Sequence, residues 1–71
     1  MVEDVRIKFS QRLQNLRIER NLSQEKLALL CGIDRTHIGR IERLERTPSL
    51  VILQKIADGL GISLIELLTF N

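Results

Sequence analysis

The chain has 71 residues, room for one domain with a small core, and a domain of that size is marginal alone, so self-association is expected from the outset. Apolar residues make up 44% and aromatics only 3%, with one Pro and four Gly, which points to an aliphatic core built from helices rather than an aromatic-rich sheet. The formal charge of +2 leaves nucleic acid open, because placement of charge decides; the single Cys excludes an internal disulfide and a cysteine-based zinc site; and no run approaches the roughly 18 apolar residues of a membrane span.

The opening Met1-Val2-Glu3-Asp4-Val5-Arg6 lacks a basic region followed by an apolar run and does not read as a signal peptide. A reducing, cytoplasmic setting is therefore expected. Helix one is predicted from about Asp4 to Arg20, with Val5, Phe9, Leu13 and Leu16 recurring on one face and Asn21 ending it. Helix two spans about Gln24 to Cys31. Ser23 is its N-cap, Glu25 suits the positive end of the helix dipole, Leu27, Ala28 and Cys31 point inward, and Gly32 stops it. Cys31 reads as a small buried residue. Helix three runs from about Arg35 to Arg43 after an Asp34 cap. Helix four, from about Leu50 to Leu60, starts at Pro48-Ser49 and is loosened at its end by Gly59 and Gly61. Helix five follows Ser63, which has capping-box spacing to Glu66, and continues to about Phe70. The fold class is all-α.

Segment 24–42 carries the functional signal. Two short helices flank a Gly-centred turn. Ala28 is small where the helices cross, Gly32 supplies positive φ, and Ile38 and Ile41 anchor helix three so that its other side faces out. This is a helix-turn-helix, whose second helix lies in the major groove. At ~100° per residue, Arg35, Thr36, Gly39, Arg40 and Arg43 fall opposite the two isoleucines. The acids Asp34, Glu42 and Glu45 fall outside that arc. Such segregation is the electrostatic footprint of a DNA-reading helix.

The chain resembles the Xre/Cro-repressor family of helix-turn-helix proteins across nearly its whole length. The matching residues are Leu13, Leu16 and Arg17, Leu22 through Ala28, Gly32-Ile33-Asp34, Ile38 through Arg43, Pro48-Ser49-Leu50, Leu53, Ile56-Ala57, Leu60 through Ser63, and Leu67-Leu68. Within the family, Asp34 through Arg43 followed by Glu45-Arg46 is similar to the recognition helix of the controller proteins of restriction-modification systems. The resemblance implies a compact five-helix bundle of the lambda-repressor-like DNA-binding type, and small stand-alone dimers.

It also implies roles. Gln24 would contact a phosphate, as helix N-termini do, and brace helix three. Arg35, Thr36 and Arg40 would read base edges, arginine by a two-bond grip on guanine. Arg43 and Arg46 suit the DNA backbone, as does Asn21; His37 would reach a phosphate or base, or else pack beside the core. Arg17 and Glu42 correspond to a family ion pair joining helix one to helix three. For the charged and polar positions the competing reading is a solvated face. One departure stands out: the family has Gly where this chain has Leu44, so either helix three extends by a residue or the loop differs.

Helix four is predicted to turn Leu50, Leu53, Ile56, Ala57 and Leu60 inward, leaving Val51 and Ile52 spare. Helix five uses Leu64, Leu67 and Leu68, leaving Ile65 and Phe70. A spare apolar patch marks an interface, so a twofold homodimer through helices four and five is expected. A single domain, 1–71, would then set two recognition helices ~34–36 Å apart on a palindromic site in double-stranded DNA. Leu29 and Leu30 look exposed; RNA polymerase or another regulator would be their partner. One His, no nucleophile–base pair at a telling spacing and no Gly-rich phosphate loop argue against an enzyme. No cofactor, metal, membrane or small-molecule ligand is expected. A phage-type repressor or DNA-binding antitoxin would use the same helix, and a protein-interaction module binding another regulator is the reading from a different class.

Overall fold

Five short helices follow one another in the computed structural model, which describes residues 4–70: α1 (Val5–Glu19), α2 (Gln24–Cys31), α3 (Arg35–Glu42), α4 (Leu50–Leu60) and α5 (Leu64–Leu67). The ends of the predicted 1–71 domain, and with them Met1–Glu3 of the stretch read for a signal peptide, lie outside the described residues. Each helix starts at a residue whose side-chain oxygen takes a backbone N–H that the helix itself leaves unpaired. Asp4, Ser23, Asp34, Ser49 and Ser63 accept from the amides of Arg6, Lys26, Thr36, Ile52 and Glu66.

The first four helices also end alike. Asn21, Gly32, Leu44 and Gly61 have φ of 56°, 69°, 65° and 71°. The next residue then donates its N–H back to a carbonyl five positions earlier: Leu22 to Arg17, Ile33 to Ala28, Glu45 to Arg40 and Ile62 to Ala57, at 2.8–3.0 Å. This is the Schellman closure. At three of the four ends the donating residue is apolar and packs on the core, as Leu22, Ile33 and Ile62 do. At α3 it is Glu45, which is exposed. Leu44 thus resolves the question its identity poses: neither a longer helix nor a different loop forms, and the leucine itself takes the left-handed cap.

The largest fully buried side chains come one from each helix: Leu13, Leu27, Ile38, Ile56 and Leu67. Around them Phe9, Leu16, Ala28, Cys31, Ile41, Ala57 and Leu60 complete an aliphatic core. Burial pushes the Cys31 thiol up to about 11, as for an inert buried cysteine. Gly59 does more than loosen a helix end. A Cβ there would lie 2.9 Å from Cys31 Cα and 3.0 Å from Cys31 N, so α4 crosses α2 against bare backbone.

Several predicted core assignments shift. Val5 is exposed because it sits at the first helical position, beyond the stripe that begins at Phe9. In α4 the inward stripe is rotated from the predicted one. Ile52 lies ~40° from Ile56 around the helix and Leu50 ~120°; accordingly Ile52 packs on the core and Leu50 is 73% exposed. α5 is one turn, shorter than expected. The Arg12 guanidinium donates to the carbonyls of Glu66 (2.7 Å) and Leu67 (3.4 Å), taking up the helix's C-terminal acceptors. The chain then turns, so Phe70 folds against the core while Leu68 is partly exposed. Of the four residues expected to be spare, Val51 and Ile65 are exposed, and Ile52 and Phe70 belong to the rim of the core. Among the described residues no helix is long and apolar enough to cross a membrane.

Candidate nucleic-acid interface

The interface begins with the α2–α3 turn. Ala28 is buried where the helices meet. A Cβ on Gly32 would touch nothing within 4 Å, so glycine is needed there for its positive φ and not for space. Asp34 then caps α3, and the Thr36 backbone N–H, 2.8 Å from its carboxylate, holds that carboxyl below its ordinary value. With Ile38 and Ile41 buried, Arg35, Thr36, Arg40 and Arg43 are left exposed.

What fixes this helix is a network centred on Glu42. Its carboxylate, only 4% exposed, accepts from Arg17 Nε (2.9 Å) and Nη2 (3.1 Å) and from Gln24 Nε2 (3.0 Å). Arg17 spends its remaining terminal nitrogen on the Leu22 carbonyl, 2.9 Å away. The Glu42 carbonyl accepts from Ser10 Oγ at 2.7 Å and from Gln14 at 3.5 Å. Arg17 and Glu42 therefore meet across α1 and α3. Gln24 reaches Glu42 as well, tying the start of α2 to the end of α3. Ser10 and Gln14 escaped the sequence reading. Their signal was positional: with Arg17 they form a polar line at 10, 14 and 17 beside the apolar stripe of α1.

Gly39 is buried by its neighbours' side chains. A Cβ on it would sit 2.9 Å from Arg43 Nη1 and 3.4 Å from Gln24 Oε1. Arg43 and Gln24 thus lie against the bare backbone of α3. The result is a polar notch between the start of α2 and the face of α3, walled by Gln24, Glu25, Arg35, Thr36 and Arg43. Thr36 also borders a second hollow with Asp34, His37, Arg40 and Arg46. The sequence-predicted DNA residues therefore fall into two groups either side of Thr36. Asn21 lies apart from both, exposed at the end of α1 in the left-handed conformation.

Two features of the charge pattern differ from the helix-wheel expectation. Glu25 pairs with Arg35 (Oε2 to Nη1, 3.3 Å), and Glu45 pairs with Arg43 through two contacts of 2.9 and 3.3 Å. The arc on α3 itself is free of acids, but the neighbouring helix and the following loop bring acids to two of its three arginines. His37 is half-buried, and its Nε2 is buried with no hydrogen-bond partner. Burial first, and then the charge of Arg46, hold the imidazole below its ordinary value, with Asp34 opposing. Among the described residues no cluster of His, Cys, Asp and Glu could hold a metal ion.

Comparison with known proteins agrees with this geometry. A family model described as Helix-turn-helix matches residues 13–67. Control protein C.MunI of Mycoplasma sp is 46% identical over 93% of this chain and 90% of its own length. Control protein C.BamHI of Bacillus amyloliquefaciens is 41% identical over all of this chain and 89% of its own. The crystal structure of the restriction-modification controller protein C.AhdI from Aeromonas hydrophila superposes with a TM-score of 0.83 at 48% identity, covering 87% of this chain and 94% of that one. This chain belongs to the helix-turn-helix family and is similar along nearly its whole length to restriction-modification controller proteins.

Proposed function

We propose that the protein is a sequence-specific DNA-binding transcriptional regulator that acts as a homodimer on a palindromic operator, in the role of a restriction-modification controller. The observation that carries this reading is α3 itself. It is locked from behind by the buried Glu42 network and presents Arg35, Thr36 and Arg40 outward on a rigid support. In this reading those three residues meet base edges, with arginine gripping guanine O6 and N7. Gln24, Asn21, His37, Arg43 and Arg46 meet the phosphate backbone and set register. Arg17–Glu42 positions the recognition helix without touching DNA.

In this reading the pairing surface is Val51 and Ile65, two of the four residues expected to be spare, joined by Leu50. These are 66%, 80% and 73% exposed on the neighbouring helices α4 and α5. The chain acts as a single domain, in the cytoplasm, with no catalytic role and no cofactor. An activator also presents a surface to RNA polymerase, and Leu29 and Leu30, exposed on α2, are available for it.

Binding to random-sequence duplex at two salt concentrations tests the DNA reading. Affinity should fall steeply with salt as phosphate counterions are released; no binding at low salt would leave a protein-interaction module in its place. Sedimentation tests the dimer. A monomer at tens of micromolar would remove it, and Val51→Glu or Ile65→Glu should dissociate a dimer that forms.

A further inference from the structure

We propose that Glu25 is a specificity-determining residue and Glu45 a brake on phosphate binding: each holds one arginine of the DNA-facing surface by an ion pair, and Glu25 penalises contact with DNA that offers phosphate but not the correct base. The inference rests on the DNA-binding reading and adds residues that the charged arc of α3 does not contain.

The two acids come from different elements and converge on the same face. Glu25, in the first turn of α2, reaches Arg35; Glu45, just past the left-handed Leu44, reaches Arg43. Both pairs are exposed, with side-chain exposures from 52% to 75%. They therefore contribute little to folding, and nothing in the core depends on them. The placement of Glu45 is telling. The corresponding residue at the ends of α1, α2 and α4 is a core-packing Leu or Ile. At α3 the chain has a carboxylate there, aimed at Arg43.

A phosphate and a carboxylate compete for the same guanidinium donors. When the protein rests on non-cognate duplex, each arginine must leave its carboxylate for a phosphate, and the carboxylate is left beside DNA of its own sign. Cognate DNA differs for Arg35. A guanidinium has five N–H donors in a fixed fork. Arg35 uses Nη1 on Glu25, so its other nitrogens remain for guanine O6 and N7 while the carboxylate fixes the plane of the group. Glu25 is thus a positioning residue for base reading, and Glu45 restrains the purely electrostatic grip of Arg43.

The test compares wild type, Glu25→Gln, Glu45→Gln and the charge-conserving Glu25→Asp. Each is titrated onto random-sequence duplex and onto a duplex selected by the wild type, over a range of salt. Each Gln variant should bind random duplex about three- to fivefold more tightly, in line with the loss of one exposed pair; the selected-to-random ratio should fall for Glu25→Gln and hold for Glu45→Gln, whose arginine meets phosphate on both duplexes. The plot of log affinity against log salt should steepen by up to ~0.9 for each arginine freed. Glu25→Asp should stay near wild type. A Glu25→Gln protein with an unchanged ratio, or a Glu45→Gln protein with unchanged affinity for random duplex and an unchanged slope, would overturn the inference while leaving the DNA reading intact. Failure of the wild type to bind any duplex would overturn both.

Discussion

Removing the Glu42 carboxylate should come close to unfolding the protein. Glu42→Ala leaves the Arg17 guanidinium, 17% exposed, without its counter-ion, and the Gln24 amide without its acceptor. Losing one partner of such a pair costs about 3–5 kcal/mol, because the other charge stays buried and unpaired. A chain of 71 residues at about 0.05–0.15 kcal/mol per residue has only about 4–11 kcal/mol in total. Urea denaturation followed by helical circular dichroism reads the loss directly. The informative partner is the double variant Arg17→Met/Glu42→Leu, which removes both charges and refills the space. Replacing a buried pair with apolar groups is often neutral or better, so the double variant should recover most of the loss, with a coupling energy of about 2 kcal/mol or more. A Glu42→Ala protein within about 1 kcal/mol of wild type, or a double variant as unstable as the sum of its singles, would refute the claim that this pair is what holds α3.

Three further variants probe a strained cap, a close helix crossing and a half-buried imidazole. Leu44→Gly should stabilise the protein by about 0.5–1 kcal/mol, since relief of a left-handed leucine exceeds the entropy cost of glycine; a lower urea midpoint would contradict the strain at φ 65°. Gly59→Ala should destabilise by about 1–3 kcal/mol, because the new Cβ meets the α2 backbone at Cys31. An open helical site would instead gain about 1 kcal/mol from the same change, so the sign alone decides. His37 should make stability depend on pH. With its folded value held below the ordinary 6.5, the unfolded chain binds the proton first as pH falls. Its contribution is therefore complete above 6.5 and is lost as pH drops through the folded value. Urea midpoints of wild type and His37→Gln at about pH 5.5 and about pH 7.5 check this; the wild-type curve should fall further on acidification, and parallel behaviour would contradict it.

Much of the fold is written in local chemistry. Ser23, Asp34, Ser49 and Ser63 are capping residues beside apolar periodicities, and such short-range signals place all five helix starts to within a residue. The phase of α4 was harder to read. Seven of its eleven residues are apolar, so the stripe can be drawn through Leu50 or through Ile52, and only packing against α2 and α5 selects between them. The end of α5 depends on Arg12, more than fifty residues away in sequence, whose donors close the helix after one turn. Phe70 is then free to return to the core, which no periodicity within 64–70 reveals. At the site, Arg35, Thr36 and Arg40 were legible because a helix wheel shows what two buried isoleucines leave outside. Glu25 and Glu45 were not, because each approaches its arginine from another element. The same holds for Ser10 and Gln14, whose target is a main-chain carbonyl.

In the proposed function, Arg35 and Arg40 read bases from a fixed α3. Selection of bound sites from a pool of random duplexes, carried out with wild type, Arg35→Ala and Arg40→Ala, tests it most directly. The wild type should enrich a palindrome with half-sites about one DNA turn, ~34–36 Å, apart. Each variant should lose preference at a different base pair within the half-site, at about 1–3 kcal/mol of discrimination. The same enriched sequence for all three proteins, or no enriched sequence for the wild type, would contradict it.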